Sequence, residues 1–206
     1  MTAHPSPQRL PSLPIARQPI WDTAGHVHGY EFLYRDADGG PAGVDLWAEA
    51  HQELASAGVL ETLGRRVDPR RDGRSFVNVT RAFLVSSRPL PQHDDRLVLE
   101  VVESVPADDE VLAGIARLRA LGYLIAIDDF TADAAQLAML PYADYVKIDC
   151  RDLLRHGTAL VELARGCGAT LVAERVSDEA LVERCAAWGF DLLQGDALGP
   201  ATIVRI

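Results

Sequence analysis

Two adjacent carboxylates, Asp128 and Asp129, end an apolar run that begins at Leu124. The run has the length of a buried β-strand and follows a helix-like segment that ends near Leu121. Neighbouring strand residues point to opposite faces, so both carboxylates reach one place only if the strand ends there. Two interpretations stay open: a functional site, or a pair that caps a loop or the next helix, which is the commoner role of an isolated Asp-Asp pair.

The same pattern, an apolar run that ends in a carboxylate, an amide or an ammonium group, recurs along the chain. The residues at these ends are Glu31, Asn78, Glu100, Lys147, Glu174 and Gln194. A single ring of strand ends would gather all of these side chains on one face of a barrel. Carboxylate and amide oxygens suit hard ions such as Mg²⁺ or Mn²⁺. The repetition therefore favours a functional site over unrelated caps.

Alternating strand and helix patterns position these residues. The first strand, predicted at 15–21, is joined to the second, at 28–35, by a connection so short that the two must be antiparallel. A helical segment at 45–66 follows. Further strands are predicted at 75–79, 96–102, 124–128, 145–148, 170–176 and 192–195, and further helices at 81–85, 108–121, 134–140, 153–166 and 178–188.

Crossover helices between strands require parallel pairing. Polar groups at nearly every strand end favour a closed barrel over an open sheet, which concentrates its site at one switch point. The predicted fold class is therefore α/β, a TIM-like (β/α)8 barrel with an antiparallel first strand. The proline-rich residues 1–14 are predicted to be a flexible lead-in, and residues 15–206 a single barrel domain.

Composition and charge limit the function classes. A chain of 206 residues, 48% of them hydrophobic, is long enough for one large core. Its formal net charge of −10 argues against binding a nucleic-acid polymer or an anionic membrane, and a phosphate-bearing ligand would need metal ions. Cys150, Cys167 and Cys185 form no C-x-x-C pair and are interpreted as reduced core thiols. Without a membrane span or a signal peptide, a cytoplasmic location is expected.

The order of the motifs resembles the EAL domain family of cyclic di-GMP phosphodiesterases, over about residues 15–200. The matching stretches are Gln18-Pro19-Ile20, Glu31-Phe32-Leu33-Tyr34-Arg35, Val77-Asn78-Val79-Thr80, Glu100-Val101-Val102-Glu103-Ser104, Asp128-Asp129-Phe130, Lys147-Ile148-Asp149, Ala173-Glu174 and Gln194-Gly195. Any one of them is weak, but their shared order is specific. The opening stretches are similar to those of the divergent EAL domains that precede an HDOD domain.

The resemblance implies metal-dependent hydrolysis of cyclic di-GMP to linear pGpG, and it implies a role for each matching residue. One Mg²⁺ or Mn²⁺ ion would be held by Glu31, Asn78, Glu100 and Asp128. A second ion would be reached by Asp128 and Asp129. Lys147 and Glu174 would be catalytic, with Glu174 as the base or as a ligand to the second ion. Arg35 and Gln194 would contact phosphate and guanine, and Glu103 would brace the loop after Asp129.

Departures from the family pattern leave the activity open. The loop at 130–136 lacks the family's glycines and serines, and the interval from it to Lys147 is about two residues shorter than in the family. Arg175 replaces a glycine and Ser177 a glutamate. The alternative function is a degenerate, non-catalytic EAL domain that binds cyclic di-GMP or a protein partner in signalling. A third is an unrelated barrel enzyme that acts on a small phosphorylated metabolite. Glu103 and Asp149 are alternatively plain helix caps.

Overall fold

A computed structural model describes residues 15–36, 38, 40, 42–44, 47–65, 73–91 and 96–204. The strands in these ranges are β1 Ile15–Asp22, β2 Val27–Tyr34, β3 Arg74–Val79, β4 Leu97–Val101, β5 Leu124–Ile127, β6 Tyr145–Asp149, β7 Thr170–Glu174, β8 Leu192–Leu193 and β9 Thr202–Val204. The α-helices are α1 Glu49–Arg65, α2 Arg81–Leu84, α3 Asp109–Ala120, α4 Ala134–Met139, α5 Cys150–His156, α6 Ala159–Arg165 and α7 Glu179–Trp188. The predicted lead-in, residues 1–14, lies outside the described residues.

Strands β2 to β8 stand side by side in chain order, and each is parallel to the next. Strand β1 is antiparallel to both β2 and β8 and so closes the ring. The predicted (β/α)8 barrel with an antiparallel first strand is thereby confirmed. Strand β9 pairs antiparallel with the first residues of β1. It was not predicted, because three mostly exposed residues carry no strand periodicity.

The interior of the barrel is filled by one layer of apolar side chains. Its members are Ile20, Phe76, Val98, Ala126, Tyr145, Val172 and Leu192. Side chains two positions apart on a strand point to the same face. The residues two positions further along β3 to β8 therefore also point inward, one layer nearer the carboxyl ends of the strands.

The outward faces of the strands pack against the helices and form a second, larger core, with Val77, Leu99 and Ile148 among its buried members. This helical layer fixes the spacing of the strand ends. None of the helices in the described part of the chain has both the length and the apolar character needed to cross a membrane.

The prediction of a single helix at 153–166 is wrong, because the segment forms two helices, α5 and α6. Gly157 lies between α5 and α6 with φ +74°, a left-handed conformation that a helix interior does not accommodate. Helix α5 also begins earlier than predicted, at Cys150, because the Asp149 carboxylate accepts a hydrogen bond from the backbone N–H of Arg151 at 2.8 Å. Asp149 is thus a helix cap, the role considered for it above.

Candidate active site

Seven predicted site residues lie at the carboxyl ends of seven successive strands. They are Glu31 on β2, Asn78 on β3, Glu100 on β4, Asp128 just after β5, Lys147 on β6, Glu174 on β7 and Gln194 just after β8. From β3 onward, each lies two residues beyond a member of the apolar interior layer. The strand period of two therefore directs all of these side chains to the same mouth of the barrel.

The Lys147 ammonium lies at the centre of this ring and is fully buried. Its Nζ is 2.7 Å from Glu100 Oε1, 2.8 Å from Asp128 Oδ1 and 2.8 Å from Glu174 Oε1. Glu31 Oε2 is 3.4 Å away and also accepts a 2.6 Å hydrogen bond from Gln194 Nε2. One buried cation thus faces four largely buried carboxylates at the base of the barrel mouth.

Burial and the surplus of carboxylates change the pKa values of the ring residues. Burial raises the pKa of Glu100 well above its usual value, against the opposing charge of Lys147. Burial likewise raises the pKa of Glu174 to about 8, and burial together with the Asp128 charge raises the pKa of Asp129 to about 6. Burial alone would lower the pKa of Lys147, but the surrounding carboxylates hold it well above its usual value. The site is short of positive charge.

Several oxygens of the ring keep lone pairs that no hydrogen bond uses. Within the described chain, buried side-chain oxygens without a hydrogen-bond donor are Asn78 Oδ1, Thr80 Oγ1, Glu100 Oε2 and Gln194 Oε1, while Glu100 Oε1 and Asp128 Oδ1 have the Lys147 ammonium at 2.7 and 2.8 Å. Buried acceptors without donors are costly, so such a cluster indicates a missing partner. The donor set, carboxylate and amide oxygen, is that of a hard divalent ion.

The spacing of the carboxylates is not that of a metal-binding site. Across the described ranges, no three His, Cys, Asp or Glu side chains form a group that could hold a metal ion as they stand. Lys147 Nζ occupies the middle of the ring instead. The chemistry of the oxygens therefore fits a divalent ion, while their present spacing is set by the ammonium.

A residue missed by the sequence analysis, Gln136, orders the loop after β5. Its buried side chain donates from Nε2 to the carbonyl oxygens of Asp128 and Asp129, at 3.2 and 3.0 Å. Its Oε1 accepts from the backbone N–H of Thr131 at 2.8 Å. Asp133 accepts from the Gln136 N–H and caps α4. A polar residue on the buried face of a short helix was the only sequence signal of this role.

Two predicted residues lie at the margin of the ring. Arg35 follows β2 directly and is half-buried. Glu103 is exposed in the loop after β4, and no hydrogen bond joins it to the described loop 130–136. Its charge is one of the smaller causes of the raised pKa of Asp129. The bracing role of Glu103 stays a prediction.

A cavity of about 750 Å³ opens above the ring. Its lining includes the predicted residues Glu31, Arg35, Asn78, Glu103, Asp128, Asp129, Glu174 and Gln194. Glu100 and Lys147 are buried and absent from this lining. Ser177, also in the lining, is exposed and donates its hydroxyl to Asp178 at 2.9 Å. The cavity has the size of a small-molecule site with charged groups at its base.

Solved structures of other proteins share this fold. The Bacillus subtilis YkuI protein, which has an EAL domain and was solved in complex with substrate c-di-GMP and calcium, aligns with a TM-score of 0.74 and 21% identity, over 94% of this chain and 56% of that one. The PaMucR phosphodiesterase, solved in a c-di-GMP complex, aligns with a TM-score of 0.72 and 24% identity, over 93% of this chain and 92% of that one.

Two curated proteins are similar in sequence. Cyclic di-GMP phosphodiesterase CdgJ of Vibrio cholerae is 30% identical over 195 residues, which cover 93% of this chain and 45% of the relative. Protein YuxH of Bacillus subtilis is 28% identical over 188 residues, which cover 88% of this chain and 45% of that protein. The chain thus spans about half the length of these relatives. The sequence model of the EAL domain matches residues 72–201, and the chain therefore belongs to the EAL domain family.

Proposed function

We propose that this chain is a cyclic di-GMP phosphodiesterase that hydrolyses one ester bond of the cyclic dinucleotide to give linear pGpG, with Mg²⁺ or Mn²⁺ as cofactor. The observation that carries the proposal is the ring at the barrel mouth, in which four carboxylates face one ammonium and several oxygens lack donors. Family membership supports it. So do the activity in the name of CdgJ and the c-di-GMP and calcium in the YkuI complex.

The residues proposed to hold a first ion are Glu31, Asn78, Glu100 and Asp128, with Asp128 and Asp129 reaching a second. A divalent ion bound there supplies a Lewis acid that activates water and stabilises negative charge on phosphate oxygens. Carboxylates with raised pKa values bind such an ion with release of protons. The ring thus has the metal-binding oxygens that the proposal requires.

The chain's own groups then have three tasks. Lys147 keeps its proton, since the facing carboxylates raise its pKa, and holds them in position. Glu174, whose pKa is about 8, in its ionised form takes the proton from the attacking water as the new P–O bond forms. The ester P–O bond breaks, and the leaving ribose oxygen takes a proton from water in the cavity. Arg35 and Gln194 bind the phosphate and guanine groups from the cavity wall.

The test is a product assay on the purified chain with cyclic di-GMP, in excess Mn²⁺, in excess Mg²⁺ and in chelator. We expect slow formation of pGpG with Mn²⁺, less with Mg²⁺, which demands a stricter geometry, and none in chelator. Glu174→Gln should abolish the product while leaving the fold intact.

A paired comparison tests the metal assignment. Asp128→Asn should weaken Mn²⁺ binding, measured by calorimetry, more than Asp129→Asn does, because Asp128 is assigned to both ions. If the wild-type protein yields no pGpG over many hours in Mn²⁺, the enzyme proposal fails, and the non-catalytic binding or interaction module takes its place.

A further inference from the structure

Arg175 follows β7 with φ +54°, a left-handed conformation that costs any residue with a Cβ atom and costs glycine little. The backbone on both sides is tied to the next strand end. Gln194 N–H donates to Ala173 at 2.8 Å, and Val176 N–H donates to Gln194 at 3.0 Å. Because these bonds fix the turn, whichever residue stands at 175 must adopt this conformation. An arginine at this position destabilises the turn, and another interaction must compensate for that cost.

The Arg175 side chain is held by a buried carboxylate. Its Nε lies 2.9 Å from Asp149 Oδ2, and Arg151 binds the same carboxylate through Nε at 2.9 Å and Nη2 at 2.6 Å. The Asp149 side chain is 5% exposed, whereas both arginine side chains are 59% exposed. Asp149 thus anchors two guanidinium groups whose outer parts face solvent. In the described part of the chain, that contact is the one ion pair of Arg175.

Both arginines line the cavity above the ring, together with Asp128, Asp129 and Glu174. The chain carries a formal net charge of −10, and the base of the cavity is rich in carboxylates. The carboxylates at this base repel an anionic ligand, and cations at the rim reduce that repulsion in addition to any bound metal ion. A guanidinium group with unpaired N–H donors suits phosphate oxygens better than any other side chain does.

We propose that Arg175, positioned with Arg151 by the Asp149 carboxylate, binds a phosphate group of the dinucleotide at the rim of the cavity. The inference rests on the proposed function, since it takes cyclic di-GMP as the ligand. Glycine at position 175 would relieve the backbone strain, whereas arginine binds the phosphate group. Stability of the free protein and affinity for the ligand therefore favour different residues at this position.

The test uses variants of the whole chain and two measurements. Calorimetric titration with cyclic di-GMP in Ca²⁺, the ion present in the YkuI complex, measures affinity, and urea unfolding of the free protein measures stability. Arg175→Gly should weaken binding about 10- to 100-fold, as expected for a lost charged hydrogen bond, without lowering the unfolding midpoint. Arg175→Lys keeps the charge but loses the forked guanidinium group, so its affinity for cyclic di-GMP should lie between those of the wild type and Arg175→Gly.

Ser86→Gly is the matched control. Ser86 also has a left-handed conformation, with φ +66°, but it is exposed in the turn after α2 and absent from the cavity lining. This variant should keep the unfolding midpoint and leave the affinity unchanged. The affinity loss of Arg175→Gly should also shrink at high salt, because a rim charge is screened.

Each contrary result has its own meaning. If Arg175→Gly binds as tightly as the wild type, the inference fails and the proposed function stands. If Arg175→Gly lowers the unfolding midpoint, the arginine has a structural role and the inference fails as well. If the wild-type protein binds no cyclic di-GMP, the proposed function fails, and the inference fails with it.

Discussion

At the scale of single residues, Lys147 decides the arrangement of the site. A fully buried ammonium is stable only with compensating charge, and four carboxylates provide more than one cation can use. The raised pKa values of Glu100 and Glu174 follow first from burial and then from the neighbouring carboxylates, against the opposing charge of Lys147. Lys147 is therefore both the electrostatic support of the ion-free ring and the group that a bound cation must accommodate.

Removal of this charge should be costly. Lys147→Met keeps much of the volume but leaves the carboxylates unpaired, so we expect the free energy of unfolding in chelator to fall by about 3–5 kcal/mol. Excess Mn²⁺ should restore part of the loss. Arg119→Met, which breaks a more exposed ion pair with Asp144, should cost about 1 kcal/mol or less by the same urea titration. Equal costs for the two variants would contradict the central role of Lys147.

Asp149 offers a prediction on pH. Burial alone would raise the pKa of its carboxyl group, but hydrogen bonds from Arg151 outweigh burial and lower it. A carboxylate with a lowered folded-state pKa stabilises the protein above its unfolded pKa, about 3.9, and loses that effect as the pH falls through the folded-state value.

Asp149→Asn keeps an acceptor for the helix cap and removes the charge. We expect it to cost roughly 1–2 kcal/mol at pH 7 and progressively less below about pH 4, measured by urea unfolding across pH. Asp152→Asn, in a more exposed pair with Arg155, serves as the control and should change stability little. A cost independent of pH would show that the charge of Asp149 is not the cause.

At the scale of elements, the loop between β5 and α4 holds the second carboxylate. Asp129 has φ +43° and Ala132 φ +64°, so the chain makes two left-handed steps without glycine. The Gln136 amide bridges this backbone through Asp128, Asp129 and Thr131. The loop that differs most from the family pattern is thus ordered by a hydrogen-bonded side chain.

Gln136→Leu should loosen this loop. The backbone N–H of Thr131 loses its acceptor, and the carbonyl groups of Asp128 and Asp129 lose their donor. We therefore expect faster amide exchange over residues 128–132 and a 10- to 100-fold weaker binding of the ion assigned to Asp129. Asp133→Asn, which keeps the cap of α4, should change neither measurement. Unaltered exchange in the leucine variant would refute the bridging role of Gln136.

At the scale of the whole molecule, the site exists only because the barrel is closed. Its polar residues come from seven strands, and β1 joins β2 to β8 to complete the ring. A ligand that binds several strand ends at once therefore stabilises the entire fold. This coupling is a property of the topology, since no single βα unit holds the full set of groups.

Divalent ions should accordingly raise the stability of the chain. At a Mn²⁺ concentration of 100 times the dissociation constant, linkage predicts about 2.7 kcal/mol of added stability in a cooperative unfolding transition. Asp128→Asn should lose most of this gain, while Asp152→Asn, outside the ring, should keep it. An unfolding curve that does not respond to Mn²⁺ in the wild-type protein would count against the ion site.

The sequence alone determined the order of the strands, the barrel and the ring residues, because each signal is local: an apolar run of strand length with a polar residue at its end. The sequence did not predict the helix break at Gly157 or strand β9, since both depend on how neighbouring segments pack. The ends of the other elements were predicted less accurately than their type.

Only the tertiary structure decided which groups meet across the ring. Lys147 faces four carboxylates, Gln136 bridges the loop of Asp128 and Asp129, and Asp149 holds Arg175 at the cavity rim. These contacts join residues from different strands and loops. Their distances depend on barrel closure and on the left-handed turns at the strand ends, which the spacing of residues along the chain does not encode.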